Sequence, residues 1–316
     1  AALAAVTEAL KRAEDLPEWP QARAAALARE GNLLGKLRDY AASETASTEA
    51  YFEALRVGAW ETAARAATDL INSVGGESRR ERRIDRINWS RHAAQAVSNT
   101  GDPVGLWEAG RLNNLAIVHF DTGDITEART LGARATALWE RALGPAHPEV
   151  AASLDNTALM AAAAGDAEAA RAMNERALAI WTRALGPGHP SVAASLLNLA
   201  FVHYSGGDLE QARAVNERAL HIFERALGPD HLDVGRSLNS LGNVRLALGD
   251  TTAARALHER ALNLRERALG DRHIDVAESL SNLAQVHQAA GDLAQARALL
   301  ERALTIQTAA LGPEHP

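Results

Sequence analysis

The dipeptide Leu-Gly recurs at Leu143-Gly144, Leu185-Gly186, Leu227-Gly228, Leu269-Gly270 and Leu311-Gly312, each 42 residues after the one before. Gly-Asp keeps the same step at Gly123-Asp124, Gly165-Asp166, Gly207-Asp208, Gly249-Asp250 and Gly291-Asp292. A fixed period of this size without insertion means one supersecondary unit stacked on copies of itself, not a domain around one central core. The 316 residues therefore need not imply two domains, because a repeat array grows linearly. Ala, Leu, Arg and Glu dominate while aromatics make up only 4%, which favours helices over sheet. The expected fold class is all-α, an α-solenoid whose role is binding, not catalysis.

Within one period the pattern is helix, tight turn, helix, loop. Over 148–185, Val150, Leu154, Ala158 and Ala161 share a helical stripe, Gly165-Asp166 interrupts it, and Ala170, Met173, Ala177, Ile180 and Ala184 resume it. Glycine suits the left-handed residue just past a helix end and aspartate suits the N-cap of the next helix, so the two helices fold back antiparallel. Asp124 with Glu127, Asp208 with Gln211 and Asp292 with Gln295 have capping-box spacing. In the longer connection Leu-Gly ends the second helix, Pro145, Pro187, Pro229 or Pro313 bars its continuation, and Pro148, Pro190 or Pro316 stands where a first-turn proline starts the next. Leu232 and Ile274 depart from the second proline, and Asp271 from the first.

Leu112, Leu115, Ala116, Gly123, Ala128 and Ala135 resemble the tetratricopeptide (TPR) pattern, in which helix A ends L-x-x-L-A/G and helix B carries small residues at fixed offsets. The sets beginning at Leu154, Leu196, Leu238 and Leu280 repeat it, and the small positions let helices approach closely. The period and the phrase L-G-P-x-H-P-x-V-A-x-S-L-x-N-L-A resemble the kinesin light chain form of the repeat over 103–316. The resemblance implies a right-handed superhelix of antiparallel helix pairs whose A helices line a concave groove for a protein or extended peptide. Where the family has an aromatic late in helix A, this chain has His119, Ala161, His203, Arg245 and His287, so that layer is expected to be wetter.

Residues 1–102 are less regular: a capping helix over 1–15, then two degenerate units over about 21–57 and 59–98. In the second, helix A is expected over 60–74, a break at Gly75-Gly76 and helix B over 78–97. Residues 103–316 hold five regular units and the start of another, the chain stopping in what reads as the linker to a further repeat. Unit starts near 21, 59, 103, 147, 189, 231 and 273 are expected. Irregular units followed by perfect ones resemble the C-terminal region of large bacterial serine/threonine protein kinases. No Gly-rich phosphate loop, H-R-D or D-F-G segment is in the sequence itself, so a kinase would belong to a parent protein.

No catalytic residue, cofactor or metal site is expected, since H-E-x-x-H, G-x-S-x-G and Walker-type loops are missing from the sequence. His147, His189, His231, His273 and His315 sit at equivalent positions of successive units, too far apart to converge on one ion; a linker role near the N-cap is expected. His119, His203 and His287 are expected to be half-buried packing residues. The basic run Arg79, Arg80, Arg82, Arg83, Arg86 and Arg91 is either a solvated helix face, with Glu81 and Asp85 interspersed, or a docking patch for an acidic or phosphorylated partner. Ile84, Ile87 and Trp89 beside it are expected in the core.

The main binding expectation is an amide ladder, Asn114, Asn156, Asn198 and Asn282, broken by Ser240, each preceding the Leu of L-A/G in helix A. An amide donates and accepts, so a row of them can clasp peptide backbone whatever its side chains; equally, it can bond the neighbouring repeat. Nearby groove candidates are Phe120, Leu159, Phe201, Tyr204, Asn239 and Asn243, with Arg236 the cation on that face. A formal charge of -7 argues against nucleic acid, zero Cys fits a reducing cytoplasm, and no apolar run long enough for a membrane span occurs. The alternative function is self-association, with Leu300, Leu304 and Leu311 on the outer face of the last unit as a weak contact.

Overall fold

The computed structural model describes residues 20–37, 39–74, 82–102 and 104–311, with residue 8; the expected helix over 1–15 otherwise lies outside the described residues. Fourteen helices and no strand occur among them. They are α1 Pro20–Lys36, α2 Tyr40–Arg56, α3 Trp60–Ser73, α4 Arg83–Thr100, α5 Leu106–Asp121, α6 Ile125–Leu143 and α7 Pro148–Ala163. There follow α8 Ala167–Leu185, α9 Pro190–Ser205, α10 Leu209–Leu227, α11 Leu232–Ala247, α12 Thr251–Leu269, α13 Ile274–Ala289 and α14 Leu293–Leu311. Odd-numbered helices are A helices and even-numbered ones B helices. The A helices begin close to the expected starts; α4 begins at Arg83, and the break expected at Gly75-Gly76, like residues 78–81 of the expected helix B, lies outside the described residues. The chain divides into two compact units, 1–160 and 161–316, at a point within α7.

Two backbone conformations at fixed positions set the period. Gly165 takes φ 82°, past the end of α7, as do its counterparts with values of 81 to 84°. Asp166 then caps α8, its carboxylate accepting the Ala169 N–H at 3.2 Å; Asp124, Asp208, Asp250 and Asp292 do the same for the residue three further on. At the other connection Gly186 takes φ 86°, ψ 157°, a combination essentially closed to residues with a side chain. The histidine ladder has a definite job there. His189, His231 and His273 are N-caps whose Nδ1 accepts the N–H of Ser191, Asp233 and Asp275 at 3.1, 3.2 and 3.1 Å, and His147 accepts that of Glu149 at 3.2 Å. This cap explains why α11 and α13 start on time with Leu232 and Ile274 in place of proline.

Each unit buries a core rich in alanine. In the first, Ala24, Ala50, Ala54, Ala63, Ala67 and Ala93 pack with Leu27, Tyr51 and Ile71, and Leu112, Ala116, Ala128, Leu131, Ala135 and Met160 form a second cluster. In the second, Val192, Leu196, Ala219, Ile222, Phe223, Val234, Leu238, Ala261 and Leu264 form one cluster and Val276, Leu280, Ala303 and Ile306 another. Close helix approach needs these small residues, so enlarging one has a cost. Ala200 is fully buried, and Ala200→Leu is expected to lower stability by about 1–3 kcal/mol through overpacking. Ala167→Leu, at an exposed position in the first turn of α8, should leave it unchanged. Thermal melting of the two variants beside wild type tests the facing of the A helices.

Candidate functional site

The asparagine ladder divides between bonded and open members. Asn114 donates through Nδ2 to the backbone oxygen of Thr68 in α3, at 2.9 Å. Asn156 donates to Asn113 Oδ1 at 3.2 Å, and Asn113 in turn donates to Asn114 Oδ1 at 3.4 Å. In the first unit these amides therefore tie α5 to α3 and α7 to α5. Asn198 and Asn282, in the second unit, are half-buried, as are Asn243, Phe120 and Leu159. Phe201 and Tyr204, one turn apart on α9, are 48% and 40% exposed. Arg236 is exposed, with Nη1 at 3.0 Å from Asp233 Oδ1.

Two of the expected binding residues turn inward. Asn239 is buried, donating through Nδ2 to Ser279 Oγ at 3.0 Å while its Oδ1 lies 3.0 Å from His258 Nδ1. It cannot reach a ligand on the surface. Arg86 is also fully buried: its Nε donates to the Ile71 oxygen at 2.7 Å and its Nη1 to Asp121 Oδ2 at 2.9 Å. The proposed basic patch loses its central member. Arg82 pairs with Glu44 and Asp85, Arg83 is exposed, and Arg79 and Arg80 lie outside the described residues. Ile84, expected in the core, is 72% exposed, whereas Ile87 and Trp89 pack against it as expected.

The wetter layer late in helix A supports the caps. His119 and His287 place Nδ1 at 3.2 and 3.3 Å from the N-cap carboxylates of Asp124 and Asp292, His203 lies 3.6 Å from Asp208, and Arg245 lies 3.5 Å from Asp250. The Glu127 N–H, and then the His119 ring, hold the Asp124 carboxyl below its usual range.

The second unit also holds a buried polar network that the regular repeat pattern does not announce. His258 and Arg265 of α12 lie in the interior; Arg265 Nη1 donates to the Asp275 oxygen at 2.7 Å and to Ser279 Oγ and Glu278 Oε2 at 3.0 Å. The signal was a break in the repeat. Gly242 stands where the other regular repeats have Ala116, Ala158, Ala200 and Ala284, and His258 stands where two of them have Asn174 and Asn216. Among the described residues no three His, Asp or Glu side chains gather where an ion could be held, and no helix is long and apolar enough to cross a membrane.

Stacked helix pairs with partly open A-helix faces define a helical-repeat scaffold. Residues 108–182, 157–225, 191–267 and 233–309 match the family described as Tetratricopeptide repeat, and the chain belongs to that family. Among solved structures it is similar to BtubC (BKLC) from P. vanneervenii, at 26% identity and TM-score 0.58, covering 75% of this chain and 94% of that one. It is also similar to a Podosopora anserina protein of nearly identical TPR-like repeats described as a kinesin light chain, at 27% identity and TM-score 0.52, over 63% of this chain and 95% of that one. RapI in its apo form shares the fold at 14% identity, TM-score 0.52, over 72% of this chain and 93% of that one. No curated protein matches the sequence. The repeats are thus kinesin-light-chain-like, and scaffolds of this family mediate protein–protein interaction. The likeness to kinase C-terminal regions rests on the sequence pattern alone.

Proposed function

We propose that the chain is a non-catalytic cytoplasmic scaffold that binds an extended peptide or protein segment on its A-helix face, as the recruiting or sensing arm of a larger bacterial signalling protein. The observation that carries this reading is the pair Phe201 and Tyr204, large rings left open to solvent on α9 beside half-buried Asn198. Exposed aromatic residues flanked by amides suit a peptide, the rings taking a side chain and the amide the backbone. Asn282 and Asn243 extend this surface within the second unit. Asn114 and Asn156 serve the fold, each donating from Nδ2 to the A helix before it.

A peptide obtained by display selection provides the test. Phe201→Ala with Tyr204→Ala should weaken its binding at least tenfold, because interface aromatics of this kind carry about 1–2 kcal/mol each. The melting temperature should barely move, as both rings are half in solvent. Asn156→Ala should do the reverse, lowering stability with affinity intact. Full affinity in the double ring variant would remove this surface as the binding site. A second reading, self-association, is favoured by Leu293, Leu300 and Leu304 of α14, which are 65%, 47% and 62% exposed. Light scattering across a dilution series separates the two.

A further inference from the structure

Asp69 of α3 lines two cavities of the first unit. One, of about 260 Å³, has polar walls that include Asn32, Lys36, Tyr40 and Asn72. The other, of about 350 Å³, is walled by Trp107 and Trp139, with Arg65 and Glu149 also lining it. Gly110 lines this second cavity, where a Cβ would come into ordinary contact with Trp139 Cζ2 at 3.7 Å and Thr68 Cγ2 at 3.9 Å. Asp69 Oδ1 accepts the Asn32 amide at 3.1 Å. Its Oδ2 is buried with no hydrogen-bond partner, and so is Asn72 Oδ1, three residues on and on the same helix face. A desolvated acceptor is costly until a donor reaches it. Burial pushes the Asp69 carboxyl up to about 6, against the pull of the Asn32 amide and of Arg65 and Lys36, so its negative charge is under-compensated.

We propose that this place takes the side chain of an arginine from a partner peptide, the guanidinium donating to Asp69 and its flat face lying on Trp139. The proposal rests on the reading of the chain as a peptide-binding scaffold and adds the residue type that its first unit selects. Charge and shape both favour arginine. Two carboxylates, Asp69 and Glu149, against the one cation Arg65, line a space with aromatic walls, and a guanidinium can fork onto a carboxylate while stacking on an indole. Trp107 already carries such a partner, the Arg65 guanidinium centred 5.3 Å from its ring, which leaves Trp139 as the open face. A lysine ammonium has the charge without the plane and is more strongly hydrated, so it fits less well.

The test is an NMR titration of the whole chain with the acetylated, amidated pentapeptide Gly-Gly-Arg-Gly-Gly, and with its lysine and citrulline counterparts. The arginine peptide should shift the indole N–H signals of Trp107 and Trp139; lysine should bind several-fold more weakly, and citrulline, which keeps the shape but not the charge, at least tenfold more weakly. Asp69→Asn keeps size and the bond from Asn32, and should weaken the arginine peptide at least tenfold at an unchanged melting temperature. Should that variant fail to fold, Glu149→Gln and the citrulline peptide carry the comparison. Equal binding of arginine and citrulline, equal binding by wild type and folded Asp69→Asn, or no indole shift at millimolar peptide overturns the proposal. Phe201→Ala should leave this titration unchanged. A failed arginine titration alongside a ring-dependent selected peptide therefore sinks only this site, and the converse sinks only the Phe201–Tyr204 surface.

Discussion

Arg86→Met lowers the free energy of opening α3 and α4 by about 3–5 kcal/mol, the range found when one partner of a buried charge pair is removed. The Arg86 side chain is fully buried, and methionine matches its stem while removing every donor. Two acceptors lose their partner. One is the Ile71 oxygen, in the last turn of α3, where carbonyls have no intrahelical donor and a nearby cation also suits the helix dipole. The other is Asp121, one carboxylate oxygen of which accepts from Nη1 and whose side chain is 26% exposed. Because water partly reaches Asp121, Asp121→Asn should cost less than Arg86→Met, and the two losses should fall short of additive. Arg86→Lys should recover only part, since an ammonium cannot reproduce the two-directional fork. Native-state amide exchange over α3 and α4 reads these energies without requiring a two-state transition, which repeat arrays often lack. A loss below about 1 kcal/mol for Arg86→Met would mean that the two bonds are not made.

Arg86 also shows where sequence reading stops. The repeat grammar was legible because glycine at a left-handed position, an aspartate cap and a first-turn proline each act within a few residues. Those local signals placed the regular pairs, including the histidine caps. The basic run wraps over more than one face of a helix, and its charge alone does not say which arginine turns inward. Extending the stripe back from Val97 through Ala93 and Ser90 arrives at Arg86, and all four are buried on α4, while Ile84 falls off that stripe into solvent. The phase was present in the sequence; the partners that make the buried charge tolerable, Ile71 and Asp121, are contributed by other helices and were not. The asparagine ladder met the same limit. Spacing placed its members on one face of helix A, yet whether an amide meets a neighbouring helix or open solvent depends on the inter-helix gap, so Asn114 is bonded to α3 and Asn239, one residue off the ladder, points inward.

Gly242→Ala is expected to destabilise the second unit by about 1–3 kcal/mol, although alanine is the better helix former by about 1 kcal/mol. The added Cβ would stand 2.6 Å from Nε2, 2.7 Å from Cε1 and 2.9 Å from Cδ2 of His258, a ring with no exposed surface. The ring cannot easily retreat. Asn239 donates to Ser279, so its oxygen faces His258, which must offer Nδ1–H; Nε2 is then a bare acceptor against Gly242 with no partner. Two other repeats pair alanine at the first position with asparagine at the second, Ala158 with Asn174 and Ala200 with Asn216, so His258→Asn should rescue Gly242→Ala, with a coupling of about 1–3 kcal/mol. Acid gives an independent readout. Burial holds the His258 imidazole down to about 4, against about 6.5 in an unfolded chain, so the unfolded state binds the extra proton between those values and stability falls as pH drops through that window. From pH 7 to 4.5 wild type should lose about 2–3 kcal/mol that the Gly242→Ala, His258→Asn double variant keeps. Native-state amide exchange over α11 and α12 of the four proteins at both pH values measures the coupling and the acid term together. Additive losses in the cycle would show that His258 does not fill the space opened by Gly242, and parallel acid sensitivity in wild type and double variant would show that this ring is not buried neutral.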